Sequence, residues 1–146
     1  MSNESNPFKL TLPDGWEDRT IYTYKGPDDG AVQHYVTLVI DRSVKGVELS
    51  EFARDRINAI ANTLQGLEVL KDESKMLANG RAVHEFVYRW MPAEDKPIFQ
   101  KLIYMLIGGV GYTFSGGFSK KTIKTIALEM EQLISSFEPG DIPSEE

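Results

Sequence analysis

Leu-Ile-Tyr-Met-Leu-Ile at residues 102–107, closed by Gly108-Gly109, decides the architecture of this chain. Side chains on a strand alternate between two faces, so a strand in a sheet covered on one side alternates apolar with polar. This run is apolar at every position, and the glycine pair after it suits a two-residue hairpin turn. It reads as a strand with oily side chains on both faces. Each face then needs a cover, whether a helix, a subunit, a ligand or a hydrophobic client.

Working outward, residues 96–107 and 110–115 predict a hairpin around that turn. In residues 82–91, Phe86, Tyr88 and Trp90 alternate with Glu85, Val87 and Arg89. Residues 32–41 place Val36, Leu38 and Ile40 on one face and Tyr35, Thr37 and Val39 on the other. Shorter strands are expected at 8–12, 20–24 and 67–70, with Pro13-Asp14-Gly15 as a turn and residues 26–30 (Gly-Pro-Asp-Asp-Gly) as a loop. Two stretches carry helical periodicity. In 49–64 the stripe is Phe52, Ala53, Ile57, Ile60, Ala61 and Leu64, with Ser50 as the expected N-cap. In 120–137 it is Ile123, Ile126, Ala127, Met130, Leu133, Ile134 and Phe137, stopped by Glu138-Pro139-Gly140. Strands, a helix, more strands and a second helix predict an α+β domain, a mostly antiparallel sheet flanked by two main helices. The organisation expected is a flexible N-terminus at 1–7, one domain at 8–139 and a disordered acidic tail at 140–146.

Composition removes several functions. The 146 residues carry 22 Asp and Glu against 16 Lys and Arg, a net charge of −6, which repels a nucleic-acid backbone. There is no cysteine, so neither a disulfide frame nor thiolate chemistry is available. The first residues show no basic and apolar export signal, and no apolar run approaches the roughly 20 residues of a membrane helix. A cytoplasmic protein without membrane insertion is expected. His34 and His84 lack metal-ligand spacing, so no metal is expected. Ser115 in Thr-Phe-Ser-Gly-Gly has Thr113 where a nucleophile elbow needs glycine, and the glycine runs at 108–111 and 116–117 lack a phosphate-loop Gly-Lys-Ser/Thr. Asp14, Glu17 and Asp18 near Trp16 read as surface acids; Lys120, Lys121 and Lys124 crowd a helix start, either as a solvated end or as a docking patch for an acidic partner. No catalytic or cofactor-binding set emerges, and the chain reads as a non-enzyme.

Residues 12–18 (Leu-Pro-Asp-Gly-Trp-Glu-Asp), Thr20-Ile21-Tyr22, the strand ending Ile40-Asp41-Arg42, the amphipathic helix with Gly66 after it, Tyr88-x-Trp90 and the closing Phe137-Glu138-Pro139 resemble, in that order, the DcrB-like domain family. Among its branches the chain is similar to the Eag chaperones of type VI secretion. The resemblance implies a fold like that of PsbP and Mog1, a homodimer, and a cytoplasmic role in shielding the hydrophobic N-terminal transmembrane segments of secreted effectors. It implies no cofactor. By position, it puts the client-binding surface on Ile21, Thr23, Val39, Ile60, Leu64, Ile98, Gln100 and Leu102. The register of the last three depends on the Pro92 to Pro97 connection. The alternative is a PsbP/Mog1-like accessory protein, also non-enzymatic, that binds a folded partner through charged surface while its apolar positions serve only the core.

Overall fold

In the computed structural model, which describes residues 10–16, 19–29, 32–42, 44–93 and 96–139, the 102–107 run lies inside a six-stranded antiparallel sheet. The elements are β1 (Arg19–Asp29), β2 (Val32–Asp41), α1 (Leu49–Thr63), β3 (Glu68–Met76), β4 (Ala82–Ala93), β5 (Lys96–Ile107), β6 (Val110–Phe118) and α2 (Ile126–Ser135). Their order across the sheet is β1-β2-β6-β5-β4-β3. The glycine pair turns β5 into β6 with Gly108 at φ 58° and Gly109 at φ 80°, a conformation open to glycine without strain.

The apolar residues of β5 divide as strand parity requires. Leu102 and Tyr104 face α1 and join Phe52, Ala53, Ile57, Phe86 and Tyr88 in one buried cluster. Ile103 and Met105 face α2 and join Leu38, Tyr112, Phe114, Met130 and Ile134 in the other. Both faces of β5 are therefore covered by the chain's own helices.

Several sequence expectations shift. Of the expected strand at 8–12, residues 10–12 lie in no strand and Leu10 is 73% exposed; residues 8 and 9 fall outside the described residues. The flexible N-terminus expected at 1–7 and the acidic tail expected at 140–146 also fall outside them. β1 continues through Gly26 and Pro27 to Asp29 instead of breaking, because a register shift between Lys25 and Asp28 absorbs the proline as a bulge. β3 runs to Met76, six residues beyond the apolar segment, as an exposed edge. The cap of α1 is Glu48, extended at ψ 156°, which leaves Ser50 inside the first turn. Residues 120–125 are turns, and α2 begins at Ile126. There Ser119 N–H donates to Thr122 Oγ1 at 3.0 Å and Thr122 N–H to Ser119 Oγ at 3.3 Å, local bonds that compete with helix.

Candidate functional site

On the α1 side of the sheet the side chains register in rows. Ile21 pairs with Val39, Val39 with Thr113, Thr113 with Tyr104, and Tyr104 with His84. The next row runs Thr23, Thr37, Ser115, Leu102, Phe86 and Asp72. Beyond it Gly117, Gln100, Tyr88 and Val69 align, and then Ile98 with Trp90. α1 lies across the β4–β5 half of these rows. The β1–β2–β6 half has no cover among the described residues, and Ile21 is 58% and Tyr35 48% exposed.

The wall beside this open half is fixed by both packing and charge. Phe52 meets the edge of the Tyr104 ring at 6.0 Å, and Arg56 lies 4.4 Å above the Phe52 centroid. Gly111 makes room for that ring, since a Cβ there would stand 2.5 Å from Phe52 Cζ. Arg54 donates to both Asp72 oxygens at 2.9 Å, and Arg56 pairs with the buried Asp41. α1 is thus held to β3 on one side and to the end of β2 on the other. The Arg54 bond, with a 2.6 Å bond donated by His84 Nε2, holds the Asp72 carboxyl below its ordinary range against the opposing effect of burial.

All eight residues named from the resemblance fall on this one side of the sheet or on the helix facing it. Ile21 and Thr23 are exposed on the open half, with Val39 half-buried beside them. Ile60 and Leu64 are half-buried on α1, packed against the cluster beneath the helix. Ile98 is 37% exposed where β5 leaves the cover of α1. Gln100 is half-buried over Gly117, where a Cβ would meet its Oε1 at 2.8 Å. That Oε1 is buried without a hydrogen-bond partner among the described residues. Burial pushes the Tyr88 hydroxyl up in pKa, and a hydrogen bond donated to it by the Gln100 side-chain amide opposes this. Leu102 differs from the other seven. At 7% exposed it belongs to the core beneath α1 and supports the surface from below.

The rows add Thr37, Thr113 and Ser115, half-buried hydroxyl residues interleaved with Ile21 and Val39. Parity alone put Thr37 on the Val39 face, whereas Thr113 and Ser115 needed the β2–β6 register. The result is a mixed surface of aliphatic side chains and hydroxyls, floored by three strands and walled by one helix. It has no acid, base and nucleophile constellation, and no group of metal-ligating side chains is present among the described residues. A shallow hollow of about 600 Å³ on the outer side of α1 is bordered by Glu48, Ser50, Glu51, Arg54, Asp55 and Asn58, all polar or charged residues. None of the helices among the described residues is long and apolar enough to cross a membrane.

A family model described as DcrB matches residues 8–136 of the chain. No curated protein matches it. Among solved structures, a protein of unknown function from Pseudomonas aeruginosa, PA94, superposes with a TM-score of 0.72 at 16% identity, over 91% of this chain and 92% of that one. Cyanobacterial PsbP (CyanoP) from Synechocystis sp. PCC 6803 superposes with a TM-score of 0.51 at 13% identity, over 91% of this chain and 99% of that one. Identities this low establish a common fold only.

Proposed function

This chain belongs to the DcrB family, and we propose from that premise that it is a non-enzymatic, cytoplasmic chaperone that shields the hydrophobic N-terminal transmembrane segments of a type VI secretion effector. The observation that carries the reading is the open β1–β2–β6 half of the sheet. There Ile21 and Val39 alternate with Thr23, Thr37 and Ser115, and Ile60 and Leu64 stand along the wall. Helices that pack in membranes do so through small and hydroxyl residues, so a floor of this composition offers such a helix both apolar contact and hydrogen bonds. A second copy, in the homodimer we propose, adds a second open face for the same client.

Magnitudes support reversible capture. Full burial of an exposed aliphatic side chain gives about 1.5 to 3 kcal/mol, and the half-buried members give roughly half of that. Ile21, Val39, Ile60 and Leu64 then supply on the order of 4 to 8 kcal/mol before association costs of similar size. Two copies acting on one client therefore bind far better than one.

The reading is tested by co-expression with a soluble carrier bearing an N-terminal helix of about 20 Leu, Ala, Gly and Ser residues. Wild type is expected to keep the fusion in the soluble fraction and to copurify with it, and an Ile21→Asp, Val39→Asp variant of unchanged melting temperature is not. Equal recovery with both removes the open half from any role in client binding. Copurification from the native host of a protein with N-terminal membrane helices, lost in the same variant, supplies the effector assignment.

A further inference from the structure

We infer that the outward face of α2 and of the turns leading into it docks a short acidic segment of a partner protein, one with an apolar side chain beside its carboxylates. Charge is unevenly committed in this chain. Arg54, Arg56, Lys71, Lys75, Arg89 and Lys101 each lie within ion-pair distance of a carboxylate. Lys120, Lys121 and Lys124 are exposed and meet no carboxylate among the described residues, although the chain as a whole carries a net charge of −6.

The three lysines are presented on a fixed frame. Thr122, 2% exposed, meets the buried His34 Nε2 through its Oγ1 at 3.0 Å, which ties the turn to β2. Backbone bonds then run helically through it: Ile123 N–H donates to the Ser119 carbonyl at 3.0 Å, and Ile126 N–H to that of Thr122 at 2.9 Å. Residues three and four apart on such a path share a face, so Lys121, Lys124 and Leu128 line up, with Lys120 one turn before Lys124. Leu128 is 63% exposed on this outward face, while Ala127, Met130 and Ile134 are buried against the sheet. The acids of α2 lie to either flank: Glu129 borders the cleft beside Tyr24 and Val36, and Glu131 is committed to Lys101 and Lys75. Unpaired cations beside an apolar side chain fit a segment with carboxylates beside an apolar residue. Lys121 and Leu128 stand about 10 Å apart along the axis, a span that an extended segment covers in about three residues. A short segment also suits the charge better than a membrane does. Within a Debye length of about 8 Å it meets the lysines, whereas a flat anionic surface would also face Glu129 and more of an acidic chain. The site lies on the other side of the sheet from Ile21 and Val39 and does not rest on the chaperone reading.

The probe is a fluorescein-labelled peptide, Ser-Leu-Ser-Asp-Glu-Asp-Gly, titrated with the full chain and monitored by anisotropy. Saturable binding is expected, weakened about fivefold or more by Lys121→Glu or Lys124→Glu and about threefold by Leu128→Ser. Lys45→Glu, which changes the net charge equally at the Gly109 end of the sheet, is expected to weaken it by less than about twofold. All four side chains are exposed, so each variant is expected to keep the wild-type melting temperature. No saturation by millimolar protein overturns the inference, as does equal weakening by Lys45→Glu, which would reduce the binding to net charge. So does an oligomer of the free chain that Lys124→Glu dissociates, which would give the face to a second copy. Cosedimentation with phosphatidylserine vesicles that Lys124→Glu abolishes would assign the face to a membrane and overturns it as well.

Discussion

Replacing Gly111 with alanine is expected to destabilise the fold by driving α1 off the sheet. Gly111 lies opposite Asp41 on β6. A Cβ at this position would stand 2.5 Å from Phe52 Cζ and 2.6 Å from Cε1. The Phe52 ring, 1% exposed, cannot swing aside, because Tyr104 meets its edge and Arg56 covers its face. Overpacking of this kind costs about 1 to 3 kcal/mol. With an unfolding entropy of roughly 0.3 kcal/mol/K for a domain of this length, the melting temperature should fall by about 3 to 10 °C. The assay is thermal unfolding of Gly111→Ala, Phe52→Leu and the double variant. Phe52→Leu alone costs on the order of 1 kcal/mol or more by leaving a cavity, whereas in the alanine background it relieves the clash. The pair should therefore be strongly non-additive. A melting temperature unchanged in Gly111→Ala, or additive losses in the double variant, would refute the seating of α1 on that strand.

Lys101→Met should destabilise by about 3 kcal/mol in urea denaturation, because Lys101 Nζ lies 3.1 Å from a carboxylate, Glu85, that is 0% exposed. Adding Glu85→Gln to that variant should recover part of the loss. Acid should loosen both helices: Arg54 and His84 hold the Asp72 carboxyl low, and although burial pushes Glu131 up, Lys101 and Lys75 outweigh it and hold it low too. A depressed carboxyl contributes stability above its unfolded pKa that disappears as pH falls through its folded one. The melting temperature should thus fall on acidification below the ordinary carboxylate range, and less steeply in Asp72→Asn; equal slopes would exclude the α1 clamp. Ile21→Asp, at a side chain 58% exposed, should change stability by no more than about 0.5 kcal/mol while abolishing capture of the helix-fused carrier.

What the sequence carried was what periodicity encodes. The β5–β6 hairpin, β2, β4 and the body of both helices are legible in apolar spacing. β3 beyond Leu70 was not, because an edge strand with exposed faces has no apolar alternation to display. Gly26 and Pro27 looked like a break because a bulge that absorbs a proline leaves the same residues as a loop. Glu85 read as the polar side of β4, yet it lies fully buried beneath α2 with Lys101, Lys75 and Glu131 around it. The hint was Lys101, a cation among the apolar residues of β5. Position by resemblance placed the candidate site on one surface, but only cross-strand register separated Leu102, which α1 buries, from its neighbours that stay open.

Dimensions explain why, among the described residues, a sheet with two apolar faces and two helices leaves one half uncovered on the α1 side. Six strands about 4.8 Å apart span roughly 24 Å between their outer axes, whereas a helix with its side chains is about 10 Å across. One helix on each face therefore shields two or three strands. α1 packs on β4 and β5, and α2 on β6. The two helices are offset across the sheet, so together they cover both sides of its middle, which is where the all-apolar 102–107 run lies. On the α1 side, among the described residues, β1 and the parts of β2 and β6 beyond the Asp41–Gly111 end that α1 holds are uncovered, and their hydroxyls reduce the cost of that exposure without abolishing it. On the α2 side the shortfall is narrower, a cleft bordered by Tyr24, Leu38, Phe114 and Leu133. The open half and this cleft thus arise from one mismatch between sheet width and helix width. Widening either helix contact should close one surface and spare the other. Thr37→Trp, which fills the open floor beside Val39, should block the helix-fused carrier without lowering the melting temperature, and undiminished capture would show that the client does not lie on that floor.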